Sequence, residues 1–309
     1  MLTTPLGDLA TLDLNNDSTQ EQVLYYDKHQ LLEGLVAEDV VDQVLNQMMQ
    51  RQRNLSRLDV VSVVAAQKAT TVKTVFVLDQ GAPPEDLHNY VLQLRRGFSV
   101  RLVRYDNKSR EFVTHNGEYT REIPLDKSLG EILRALEPNP RFPEIDTKIK
   151  DIIRQKQGFW GYLSGAYQTN IGMRLVLPRL FKNFAIQPYF DAGVWDIDRT
   201  FLGRSGQFYV IEVKHKFPFG LGKLKFGINR GSASALCKLS EAGFTCFHSI
   251  MVKPYWDDTH SVTYLSMSLK QGSESCSAAK SSRPRSCSPS FVNPLHAHHR
   301  KPVSQVPGG

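Results

Sequence analysis

Cysteine is scarce in this chain, with four among 309 residues, and no two stand in Cys-x-x-Cys spacing. Two of the four, Cys276 and Cys287, lie in a polar tail, so the pattern gives no sign of a disulfide framework. A reducing compartment fits such a chain, so the cytoplasm is expected, with the nucleus left open. No apolar run approaches the roughly 20 residues of a membrane-spanning helix, and no membrane partner is expected. The first residues, Met1-Leu-Thr-Thr-Pro-Leu-Gly-Asp8, lack both a basic stretch and an apolar core, which argues against a secretory signal. A glycine-rich phosphate cradle is missing as well. Asp79-Gln-Gly81 follows an apolar segment without the further glycines such a loop needs, and reads as a strand-ending turn.

What is present is unevenly distributed. The net charge is +7, yet residues 1–150 carry 18 basic and 22 acidic side chains, residues 151–269 carry 14 and 8, and residues 270–309 carry 6 and 1. Basic charge therefore gathers in the second half, where Lys214, Lys216, Lys223, Lys225 and Arg230 lie close in sequence. A polyanion would be drawn there with an affinity that falls steeply as salt rises. DNA is the partner expected, RNA is not excluded, and Lys216, Lys223, Lys225 and Arg230 are the candidate phosphate contacts. A solvated basic face is the plain alternative. The acidic balance of the first half argues against DNA as its partner and suits a protein partner or a regulatory role; a second copy of the chain is a further candidate.

Periodicity divides the chain into modules. Residues 1–136 read as a small α/β domain. Thr19 to Arg53 forms one or two helices with Ser18 as N-cap, Val72 to Leu78 a buried strand, Pro83 to Arg96 a helix opened by prolines and acids, and Ser99 to Tyr105 a strand. Glu111 to Tyr119 reads as a hairpin around Asn116-Gly117, and Ser128 to Leu136 as a short helix. Glu137-Pro-Asn-Pro-Arg-Phe-Pro143, with three prolines in seven residues, is the natural linker. A second domain spans 144–270. Residues 271–309, rich in Ser, Pro and Arg, offer too little apolar surface to offset the entropy of ordering and are expected to be disordered.

Chemistry concentrates in the second domain. Gly193-Val-Trp-Asp196-Ile-Asp198-Arg-Thr-Phe-Leu202 is followed, after Gly203-Arg-Ser-Gly206, by Tyr209-Val-Ile-Glu212-Val-Lys214-His-Lys216. Taking a carboxylate out of water costs several kcal/mol unless a partner compensates, so charges inside apolar strands call for a reason. Side chains alternate along a strand, which puts Glu212 with Lys214 on one face and Asp196 with Asp198 on another. If the Gly/Ser segment reverses the chain, Asp198 falls beside Glu212 across the ladder. Carboxylate oxygens are the ligands Mg²⁺ prefers, and a lysine beside them can orient or deprotonate an attacking water. The competing picture is a surface hairpin whose charges pair in water, each pair contributing about 0–1 kcal/mol.

An Asp strand, a turn and an apolar strand bearing Glu-x-Lys resembles the core of the PD-(D/E)xK nuclease superfamily. The flanking order is similar too: a helical region from Tyr162 to Phe184 before it, then a helix from Asn229 to Gly243 and a strand from Phe244 to Val252. The resemblance implies a restriction-endonuclease-like α/β fold, a mixed sheet flanked by helices. It also implies Mg²⁺-dependent hydrolysis of DNA phosphodiesters, with Mn²⁺ as a substitute. Asp198 and Glu212 would hold the metal and Lys214 would serve the water. Ile197 stands where the superfamily places proline, so Asp191, Asp196 and Asp198 compete for one role; Asp198 is favoured and Asp196 is second. The helix that often carries a Glu offers Gln168 instead, an accessory ligand at most. A DNA-binding protein that kept the fold and lost the chemistry is the alternative, and a regulatory, protein-interaction factor is a third.

Overall fold

The computed structural model describes residues 2–25, 32–52, 54–68, 73–115, 127–142, 153–216, 228, 230–252, 261, 264, 267 and 290–291. A short hairpin of β1 (Thr3–Thr4) and β2 (Gly7–Asp8) opens the chain, followed by helices α1 (Asp17–Tyr25) and α2 (Leu32–Gln52). Asn16, rather than Ser18, begins α1. Its side chain accepts the Thr19 N–H at 3.2 Å, and its carbonyl accepts the Gln20 N–H at 2.9 Å. Asn caps as well as Ser, so the helix starts at the earlier of the two.

β3 (Leu55–Arg57), β4 (Val60–Ala66) and β5 (Thr74–Asp79) come next, then α3 (Pro84–Arg95), β6 (Ser99–Asp106), β7 (Glu111–His115), β8 (Lys127–Ser128) and α4 (Leu129–Leu136). The turn after β5 is the strand end expected: the Asp79 carboxylate accepts the N–H groups of Gly81 and Ala82, and Gly81 takes φ +112°. Asn116-Gly117 and Glu118-Tyr119, expected to complete a hairpin with β7, lie outside the described residues; β7 itself pairs with β6.

The second half opens with α5 (Ile153–Tyr167) and continues as an irregular helical run to residue 189. In it, π-helical turns Gly172–Val176 and Leu180–Ile186 flank α6 (Leu177–Arg179). Pro178 has no N–H to give the preceding turn, a sufficient reason for the ladder to loosen there. Strands β9 (Gly193–Ile197), β10 (Arg199–Gly203) and β11 (Phe208–Lys216) follow, then α7 (Arg230–Glu241), β12 (Thr245–Val252) and β13 (Ser290–Phe291). Apart from β13, the expected disordered tail lies outside the described residues.

Two mixed sheets result: β8-β7-β6-β5-β4-β9 and β13-β12-β11-β10-β3. β5 with β6 and β11 with β12 are parallel pairs, each joined by a crossover helix, α3 and α7 respectively. The period-2 alternation of β4 and β5 is visible in the packing. Val63, Ala65, Phe76 and Leu78 face one apolar core with α1, α2, α5 and the irregular helical run. Val64, Val75 and Val77 face the other with α3, α7, Phe208, Val210 and Phe244.

The sheets do not divide at the expected boundary between residues 1–136 and 144–270. β9 pairs with β4 from Ser62↔Ile197 to Ala66↔Gly193, and β3 pairs with β10. Each half thus fills the open edge of a sheet begun by the other. Glu137 to Phe142 carries no regular structure, as its prolines demand, but it is held down where the Arg141 N–H donates to the Pro188 carbonyl at 2.9 Å.

The N-terminal segment is fitted closely against the helical run. A Cβ on Gly172 would lie 2.5 Å from the Leu14 carbonyl oxygen, a backbone atom that cannot swing aside. Gly172→Ala is expected to cost about 1–3 kcal/mol despite the better helix propensity of alanine. Urea unfolding of parent and variant measures it.

Candidate functional site

Asp198 stands where the chain leaves one sheet for the other. Ile197 is the last residue paired with β4, and Arg199 is the first paired with β11, opposite Ile211. The single strand expected over 193–202 is therefore two, broken at Asp198, because β4 and β11 belong to different sheets and one straight strand cannot serve both. Continued by one residue, the β10–β11 register sets Asp198 opposite Glu212, as the sequence suggested. The Asp198 carboxylate reaches over that position and accepts the Val213 N–H at 2.8 Å. Its own carbonyl accepts from Arg199 Nη1 at 2.8 Å.

Glu212 and Lys214 share the face of β11 that Phe208 and Val210 occupy further back, while Ile211 and Val213 turn to the first core. Glu212 is only 6 % exposed, lodged against Trp195 and the buried side of α7, and its Oε1 lies 2.6 Å from Lys214 Nζ. The solvated surface hairpin is thereby excluded for this pair. Burial, reinforced by the Glu212 and Asp196 carboxylates, pushes the Asp198 carboxyl well above the usual carboxylate range against the pull of Lys214 and Arg199. For Lys214 burial acts the other way, but Asp198 and Glu212 outweigh it and hold the ammonium more firmly protonated than usual.

Of the three competing aspartates, Asp191 is exposed and accepts the Lys68 N–H at 2.9 Å, away from the others. Asp196 stands by the site, but its Oδ2 lies 2.5 Å from Nζ of Lys182, a lysine only 9 % exposed on the π-helical turn Leu180–Ile186. Gln168 is exposed, has φ +48° and does not line the cavity described below. Arg230 is exposed at the first residue of α7. Lys216 ends β11, and Lys223 and Lys225 lie outside the described residues.

A cavity of about 580 Å³ opens on Asp196, Asp198, Val213 and Lys214. Its other walls come from α2, through Glu38, Asp39, Asp42 and Asn46, and from the helical run, through Arg174, Arg179 and Lys182. Nearly every acid in it is engaged. Asp42 binds Arg199 and, at 3.2 Å, Arg57; Arg179 lies 3.4 Å from Glu38, and Arg174 3.2 Å from Asp59. Asp39 accepts from the Tyr162 hydroxyl at 2.8 Å and Gln43 Nε2 at 2.7 Å. Among the described residues, Asp198 is the one cavity carboxylate with no cation at ion-pair distance and no side-chain donor.

None of these wall residues is evident from sequence. Arg199 was visible only as the neighbour of Asp198, and Lys182 and the α2 acids only as ordinary members of amphipathic helices. The apolar run Val60 to Ala66, an interior strand of its sheet as β4, carries no alternation that marks it in the sequence.

The donor set suits a hard cation, since carboxylate oxygens are what Mg²⁺ prefers. Asp198 and Glu212 can supply them, and a cation would answer the uncompensated charge on Asp198. Among the described residues no three His, Cys, Asp or Glu side chains are disposed together to hold an ion; Glu212 faces Lys214 and Asp196 faces Lys182. No family model, curated protein or solved structure matches the chain.

A carboxyl whose pKa is raised by folding favours the fold while protonated, and that contribution is lost as pH rises through its folded-state value. Asp198→Asn keeps the acceptor for the Val213 N–H and carries no charge. In divalent-free buffer at neutral pH it should therefore melt at a higher temperature than the parent, with the gap closing on acidification. Differential scanning calorimetry across pH checks both parts.

Proposed function

We propose that the chain is a divalent-cation-dependent nuclease that hydrolyses DNA phosphodiester bonds at Asp198, Glu212 and Lys214, on a core of restriction-endonuclease-like type. The observation that carries this reading is the meeting of a buried carboxylate, Asp198, with Lys214 on the wall of a polar cavity, the lysine being held from behind by the buried Glu212. Supporting it, the β10–β11 hairpin is followed by the parallel β11-α7-β12 crossover, the order in which the resemblance places those elements.

In this reading Asp198 and Glu212 hold Mg²⁺ or Mn²⁺ through their carboxylate oxygens. The bound cation supplies polarisation of the scissile phosphate and a lowered pKa for the attacking water. Lys214, beside those carboxylates on the cavity wall, orients the water or donates to the charge that develops on the phosphoryl oxygens. Val213, through its N–H, fixes the direction of the Asp198 carboxylate. Asp196, second choice for the aspartate role, holds Lys182 at the cavity wall through Oδ2.

The contact between Lys214 and Glu212 favours a second reading, DNA binding without cleavage, because a carboxylate committed to an ammonium is less open to a metal. Incubation of the parent with linear, circular and branched DNA, and with RNA, separates the two. Cleavage that needs Mg²⁺ or Mn²⁺ is expected. Lys214→Met should slow it by about 10²–10³-fold, the usual cost of one charge-stabilising donor, and Glu212→Gln at least as much. Cleavage that survives both substitutions removes the site from the reaction, and binding with no cleavage favours the second reading.

A further inference from the structure

The candidate site opens into a walled cavity, and the walls are tied to one another. Arg179 of the helical run meets Glu38 of α2 at 3.4 Å, and Asp42 of α2 is bound by Arg57 of β3 and by Arg199 of β10. These ties set the width of the space over Asp198. Its volume, about 580 Å³, lies in the range of roughly 300–1,000 Å³ that encloses one small molecule. A nucleotide is of that size. A duplex, with paired bases and a second backbone beside each nucleotide, is larger.

The lining chemistry suits a phosphodiester strand despite its many acids. Glu38, Asp42, Asp59 and Asp196 each lie against a cation, and Asp39 against a hydroxyl and an amide, so the lining acids are balanced by cations and a phosphate entering the space meets the guanidinium donors those pairs leave unengaged. Arg174 is the most open of these cations, with 47 % of its side chain exposed, and a guanidinium has five donors of which one contact to Asp59 engages a part.

We propose that this cavity admits one nucleic-acid strand, so that the substrate is single-stranded DNA or the unpaired end of a duplex, with Arg174 as a phosphate contact at its mouth. The inference rests on the nuclease reading of Asp198, Glu212 and Lys214 and names its substrate class. A strand threads between the tied walls to reach Asp198. The middle of an intact duplex reaches it only by opening those ties or giving up a base pair.

Fluorescence anisotropy in EDTA at low salt tests it on the uncut complex, with three labelled probes of equal length: a single strand, a duplex with one single-stranded overhang, and a dumbbell duplex closed at both ends. The parent should bind the first two at least tenfold more tightly than the dumbbell. Arg174→Glu, at an exposed position, should weaken single-strand binding tenfold or more with the melting temperature unchanged, and Arg174→Gln by a smaller factor. Dumbbell binding as tight as the single strand overturns the proposal, as does single-strand binding indifferent to Arg174→Glu. The nuclease reading is tested separately: with Mg²⁺ restored, selective single-strand binding without cleavage of any probe counts against the chemistry and leaves the strand selectivity standing.

Discussion

A single carboxylate, that of Asp198, stands at the point on which the two sheets and the site both depend. The chain must pass from β4's sheet to β11's within one peptide, and the residue at that passage has no ladder partner of its own. Its side chain takes over the ladder's work by accepting the Val213 N–H, which ties the crossing to the middle of β11. The same bond points the carboxylate at the Glu212–Lys214 pair. Folding therefore places three ionisable groups together at a spot where one carboxyl has, among the described residues, no cation at ion-pair distance, a cost that is met by holding its proton, as the raised pKa shows, or by a bound cation. A carboxyl so perturbed by burial and by charged neighbours, set at a cavity, is a candidate functional group.

Much of this was legible in local pattern. The β10–β11 register follows from the turn Gly203 to Gly206 and the alternation in Tyr209 to Lys216, and α7 and β12 fall where their apolar periods place them. What local pattern could not show is how the halves interlock. Prolines in Glu137 to Pro143 mark a break in regular structure, and they do so correctly, but an irregular segment is as compatible with two halves sharing sheets as with two separate domains. β3 and β9 are short and need partners more than a hundred residues away; nothing near them in sequence announces which edge they complete. β4 hides for another reason. Buried on both faces, Val60 to Ala66 shows no alternation and stands between less patterned stretches.

The acidity of the first half also changes meaning once it is folded. Counted along the chain it suggests a surface for a protein partner. In the structure Glu38, Asp39 and Asp42 turn from α2 into the cavity, and arginines, a tyrosine and a glutamine from four other elements and α2 itself take them up. Part of the charge asymmetry is thus the two sides of one internal network, and the basic residues it engages are the ones that shape access to Asp198. Lys182 shows the same principle at closer range. Its contact engages one oxygen of the Asp196 carboxylate and sets an ammonium beside the site.

Titration calorimetry of Mn²⁺ into the parent and into Asp198→Asn, repeated as pH is raised from mildly acidic to neutral, addresses the central claim most directly. Mn²⁺ binding by the parent that tightens with pH, as Asp198 gives up its proton, and that is lost in Asp198→Asn is the expected result. Binding that is absent from the parent, or present and unchanged in the variant, would show that the charge left unpaired at Asp198 is not there for a metal.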